Sequence, residues 1–106
     1  MSESISDKIN NEIKSHKIVL FVKGTPQSPQ CGFSASTMAL FNKMNVPYHT
    51  VDILANPEIR VTLPEYSQWP TFPQVFIKGK LVGGADIVNE MFQSGELQKL
   101  LSLRGA

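Results

Sequence analysis

The stretch IVLFVKGTPQSPQCGFSASTMALFNKMNVPYHTVDI, residues 18–53, changes pattern several times, and those changes decide the fold. Ile18-Val-Leu-Phe-Val22 is a short, continuous apolar run, mostly β-branched, which predicts a central strand covered on both faces. Gly24-Thr-Pro-Gln-Ser-Pro-Gln30 follows, and its glycine and prolines break any regular element. From Ser34 to Met44 the pattern becomes helical, with Ala35, Met38, Phe41 and Met44 facing inward, and Asn45-Val-Pro47 ends it. Tyr48-His-Thr-Val-Asp-Ile53 has the β-branched and aromatic content of a second strand. A strand, a crossover helix and another strand predict a parallel, right-handed unit.

Upstream, Ile5, Ile9 and Ile13 recur at helical spacing, with Ser4 or Ser6 available as N-cap and Asp7 near the positive end of the dipole. Downstream, Asn56-Pro57 reads as the N-cap and first position of a helix that carries Ile59 and Leu63 on one face and ends at Pro64 or shortly after. Gln74-Val-Phe-Ile77 and Leu81-Val82 flank Lys78-Gly79-Lys80, a turn of hairpin length, so this pair is expected to be antiparallel. Asp86 to Phe92 and Leu97 to Leu103 read as two terminal helices parted by Ser94-Gly95. The order predicts a single α/β domain over residues 1–106, a four-stranded mixed sheet flanked by helices, without repeats or linkers.

Composition narrows the function classes. Hydrophobic residues make up 42% of the 106 and charged residues 18%, enough for one core and too few residues for two. A net charge of +1 without any basic block argues against a nucleic-acid partner, which needs several phosphates neutralised. A single cysteine forms no internal disulfide and fits a reducing compartment. The first residues lack the pattern of a signal or transit peptide, and no apolar run is long enough to span a bilayer, so a soluble, cytoplasmic protein is expected.

That cysteine, Cys31, stands where the breaker-rich loop meets the helix start, the crevice where ligands collect in open α/β sheets. Helix amides and the nearby Lys23 both favour a thiolate. A lone cysteine is more often a small buried hydrophobe, but Gly32 and the surrounding prolines weigh against burial here. The residue three positions on is Ser34, so no second thiol resolves a mixed disulfide within the chain, and thiol exchange must pass through an external thiol such as glutathione. The same counting applies to a two-iron two-sulfur cluster with four thiolate ligands: two chains supply two, and two small thiols would complete the set.

Other residues have two readings each. Phe72, in Trp69-Pro-Thr-Phe-Pro73, either pairs its backbone with a peptide-like ligand or belongs to an ordinary turn. Gly83-Gly84-Ala85-Asp86 either presents amides to a carboxylate, with Asp86 meeting an ammonium, or is a turn with Asp86 as N-cap. Arg60 either clamps a carboxylate or is solvated. His16 and His49 have no metal-site spacing with Cys31 and read as structural or surface residues.

Taken together, Lys23-Gly-Thr-Pro26, the Cys31-Gly-Phe-Ser34 motif, Trp69 to Gln74, and Gly83-Gly84 before Asp86 resemble the monothiol glutaredoxins of the Cys-Gly-Phe-Ser class, from the first helix to Leu103. The resemblance implies the thioredoxin fold, a cis Pro73 and a glutathione site made by Lys23 and Arg60 at the glycine carboxylate, Phe72 through its backbone, and Ala85 with Asp86 at the γ-glutamyl end. Cys31 would be both the catalytic thiol and the iron ligand. The function implied is binding and transfer of a glutathione-ligated 2Fe-2S cluster by a homodimer, with a BolA-like protein and iron-sulfur recipient proteins as partners. The alternatives are a glutathione-dependent oxidoreductase that deglutathionylates protein thiols, and an adaptor that only binds another protein. Two positions depart from many relatives: Ala85 stands where they carry cysteine, and Glu65 where they carry lysine.

Overall fold

The computed structural model describes residues 4–101. Helix α1 (Ile5–Ser15) starts at Ser4, whose hydroxyl oxygen accepts a hydrogen bond from the Asp7 amide at 3.0 Å. Strand β1 (Ile18–Val22) is buried along its whole length. The loop that follows is more ordered than its prolines suggest: Gly24–Thr25 (β2) and Ser28–Pro29 (β3) pair as a minimal hairpin. Helix α2 (Gly32–Met44) begins two residues earlier than expected, with Cys31 itself as N-cap, and stops at Asn45 in the left-handed conformation. Asparagine tolerates that conformation better than most residues.

Strand β4 (His49–Asp52) leads to helix α3 (Pro57–Ser67), preceded by Asn56 and opened by a proline. Pro64 lies inside α3, which ends shortly after it at Ser67, as expected. It removes one amide and crowds the carbonyl four residues back, but only a single turn remains to be carried beyond it. Strands β5 (Gln74–Ile77) and β6 (Lys80–Gly83) form a hairpin whose turn is Lys78-Gly79 alone, since Lys80 pairs with Ile77. Both turn residues have positive φ, 53° and 82°, the combination that matches the twist of a two-residue hairpin. Helix α4 (Ala85–Ser94) has Gly84 as its N-cap, so Asp86 lies in the first turn instead of capping it. Helix α5 (Glu96–Leu100) is the last element among the described residues, with Leu101 as its C-cap, and the rest of the expected continuation to Leu103 lies outside them.

The sheet order is β4-β1-β5-β6, with β1 parallel to β4 and antiparallel to β5, and β5 antiparallel to β6. Alternate side chains of β1 serve two cores. Ile18, Leu20 and Val22 pack with Met38 and Phe41 of α2 and Val88 of α4. Val19 and Phe21 pack with Ile9 and Ile13 of α1 and Ile59 and Leu63 of α3. A fully buried side chain of this kind contributes about 1.5–3 kcal/mol, so five in succession make β1 the anchor of the molecule. Its end, and that of β4 beside it, carry the site. Among the described residues no helix is long and apolar enough to cross a membrane.

Candidate functional site

Ser34 welds the end of β1 to the start of α2. Its side chain is fully buried, and its hydroxyl oxygen accepts a hydrogen bond from the Lys23 amide at 3.0 Å. Asp52, at the end of β4, accepts from the Gly24 amide and the Leu54 amide, each at 2.9 Å. The Gln30 amide donates to the Lys23 carbonyl at 2.9 Å, closing the base of the small hairpin. Gly24 has φ +94°, and a Cβ there would fall 2.5 Å from the Ser28 carbonyl oxygen and 2.8 Å from the Gln30 nitrogen. Only glycine fits.

This frame presents Cys31, half-buried and unpaired, at the head of α2. Its side chain makes no hydrogen bond of the capping kind. Its ionised form is nevertheless favoured, and the pKa lies below the ordinary thiol value. The Ser34 amide is the main cause; the Phe33 amide, the Ser34 hydroxyl and the Lys23 charge add to it, while partial burial opposes them. The helix start and Lys23 thus act in the direction expected, and Ser34 adds a contribution through both its amide and its hydroxyl.

Beside α2 opens a cleft of about 550 Å³. Lys23, Arg60, Phe72, Ala85 and Asp86 all line it. Five residues from the end of β1, from α3, from the turn before β5 and from the start of α4 therefore converge on one hollow. Cys31 is not itself a wall of the cleft; Phe33, two residues on and 63% exposed, is. The Phe72–Pro73 peptide is cis, as the resemblance implies. Glu65 is exposed and lies outside the lining. Gly84 lets the α4 start approach the opposite wall: a Cβ there would lie 3.2 Å from Trp69 Nε1 and 3.3 Å from the Pro73 carbonyl oxygen. Ala85 and Asp86, in the first turn of α4, have amides that the helix's own ladder leaves available.

Gln74 is a residue whose place in the site does not follow from the sequence alone. It is fully buried, and its Nε2 donates to the carbonyls of Trp69 and Thr71 at 2.9 and 3.2 Å. The available signal was a polar residue heading an otherwise apolar strand. His16 and His49 lie away from the site: their rings stack with centroids 3.9 Å apart, and His49 Nε2 is 2.7 Å from Glu12 Oε2. Among the described residues no three His, Cys, Asp or Glu side chains converge as metal ligands.

A four-stranded mixed sheet flanked by helices, with its thiol at the head of the helix after the central strand, defines the thioredoxin fold. The glutaredoxin family model matches residues 18–82. A probable monothiol glutaredoxin 2 of Rickettsia felis is 52% identical over 93 residues, covering 88% of this chain and 89% of that protein. A monomeric truncated mutant of Trypanosoma brucei 1-C-Grx1, solved in solution, superposes with a TM-score of 0.85 at 39% identity, covering 98% of this chain and 94% of that one. The crystal structure of a buckwheat glutaredoxin–glutathione complex superposes with a TM-score of 0.82 at 28% identity, covering 92% and 87%. The chain belongs to the glutaredoxin family, among its monothiol members.

Proposed function

We propose that the cleft binds glutathione and that two chains, each contributing Cys31 and one glutathione, carry a 2Fe-2S cluster as cargo for iron-sulfur cluster biogenesis in the cytoplasm. The observation that carries this reading is the convergence of Lys23, Arg60, Phe72, Ala85 and Asp86 on one hollow beside a single thiol of lowered pKa. A tripeptide with a carboxylate at one end and both an ammonium and a carboxylate at the other matches that lining. Lys23 and Arg60 hold the glycine carboxylate, the Phe72 backbone pairs with the peptide, and the Ala85 amide and Asp86 carboxylate hold the γ-glutamyl end. The similarity to a glutaredoxin crystallised with glutathione supports the same ligand.

Cys31 offers one thiolate and the described residues offer no convergent set around it, so a four-thiolate shell requires a second chain and two small thiols. Two of four ligands are then exchangeable, which suits release to recipient proteins or a BolA-like partner. Anaerobic reconstitution with iron, sulfide and glutathione is expected to give a coloured dimer with visible charge-transfer bands. Equal colour from Cys31→Ser would overturn the reading.

The lowered pKa of Cys31 also favours a second activity, removal of glutathione from protein thiols. The Cys31 thiolate attacks the glutathione sulfur of a protein–glutathione disulfide and expels the protein thiolate. A second glutathione thiolate then attacks the same glutathione sulfur, leaving as glutathione disulfide and restoring Cys31. A coupled glutathione reductase assay measures this turnover, and its absence at millimolar glutathione would remove the second activity.

A further inference from the structure

We infer that Gln74 is a positioning residue for the cleft: given that glutathione occupies it, the buried carboxamide sets the shape of the wall that receives the tripeptide. Trp69, Pro70, Thr71, Phe72 and Pro73 line the cleft consecutively. One atom braces that wall from behind. Gln74 Nε2 donates to the carbonyls of both Trp69 and Thr71, so two points of the segment are tied to a single nitrogen at the head of β5.

Stability gives little reason for a carboxamide here. Gln74 is completely buried, Val75, Phe76 and Ile77 after it are apolar, and its Oε1 is shielded from solvent without a hydrogen-bond partner. A buried polar atom left unpaired costs about 1–3 kcal/mol, which offsets much of what the two hydrogen bonds from Nε2 contribute. What an apolar side chain lacks is the pair of donors. Without them the Trp69 and Thr71 carbonyls turn toward water, and Phe72, whose backbone meets the ligand, moves with them.

Cys31 is the chain's only cysteine, so formation of its mixed disulfide reads the cleft directly by intact mass. In this exchange the Cys31 thiolate attacks one sulfur of glutathione disulfide, forming the Cys31–glutathione disulfide and releasing glutathione thiolate. Running the same exchange with 2-hydroxyethyl disulfide reports the thiol without the tripeptide, and the ratio of the two equilibrium constants isolates recognition by the cleft. The expected result for Gln74→Met is a ratio about tenfold below that of the native protein, with the hydroxyethyl constant unchanged. A ratio near one in the native protein would defeat the glutathione reading itself. A high ratio retained in folded Gln74→Met would defeat the role of Gln74 alone.

Gln74→Glu provides a second measurement should Gln74→Met not fold. Burial raises the pKa of the introduced carboxyl; neutral, it restores one donor, and ionised, it faces two carbonyl oxygens. Its ratio is expected to climb as the pH falls from about 8 to about 6, while the native ratio does not climb. Parallel profiles for the two proteins would overturn the assignment.

Discussion

Two loops frame the candidate site, residues 23–30 running into Cys31 and residues 69–73 lining the cleft, and they are held in opposite ways. Residues 23–30 are braced at many points: Ser34 Oγ on the Lys23 amide, Asp52 on the Gly24 amide, Gln30 on the Lys23 carbonyl, and Thr25 Oγ1 on the Ser28 amide. Residues 69–73 hang from the side chain of Gln74, with a backbone bond from the Trp69 amide to Pro64 at their start. The difference teaches where shape is distributed and where it is concentrated. Damage to the first loop spreads into the fold, because its braces also join β1, α2 and β4. Damage to the second is expected to surface in recognition, because both bonds of its brace end on the cleft wall.

The largest test removes the thiol itself. Cys31→Ser is expected to abolish the glutathione mass adduct and all visible absorption after reconstitution, and either signal surviving would mean the loops frame something else. Next, Gly24→Ala drives a Cβ into the backbone of Ser28 and Gln30 at a positive φ. It should cost about 3 kcal/mol, a fall in melting temperature on the order of 10–20 °C by calorimetry. Ser34→Ala leaves the Lys23 amide without its buried acceptor and should cost about 1–3 kcal/mol. It should also move the Cys31 titration upward, measured by thiolate absorbance at about 240 nm; an unchanged titration would remove Ser34 from the account of reactivity.

A smaller effect follows from linkage. The folded pKa of Cys31 is lowered, so the contribution of its thiolate to stability is fully present above the unfolded thiol's pKa of about 8.5 and is lost as the pH falls through the folded value. Urea midpoints of native protein and Cys31→Ser should therefore converge on acidification and separate in alkali, the native protein being favoured. The smallest effect lies at the opposite end of the sheet. Glu12→Gln weakens the half-exposed pair with His49 and should change stability by less than about 1 kcal/mol while leaving the Cys31 titration in place.

The fold was legible wherever the apolar period was uninterrupted. Ile18–Val22 is the central strand, Ile9 and Ile13 face the core, and the crossover and hairpin have the expected directions. Element ends were less so. The helical pattern reads from Ser34, but the helix starts at Gly32 with Cys31 as its cap, and Ser34 is buried within the first turn. Asp86 offers a capping side chain as one of its two readings, while Gly84 is the actual cap, at a point where a Cβ would sit close against Trp69 and Pro73. The convergence of Arg60 with Asp86 follows from the family resemblance and from no local pattern, since none relates residues so far apart. Gln74 escaped because its partners are backbone carbonyls, which every residue has and no sequence marks.

The central strand leaves one further consequence. Ile18, Leu20 and Val22 serve one hydrophobic layer while Val19 and Phe21 serve the other, so the two layers share a single backbone as a common wall. Thinning that wall from one side shifts the seat of the side chains on the other. Paired truncations across it should not sum as independent losses, and the molecule behaves under mutation as one cooperative body rather than as two stacked cores.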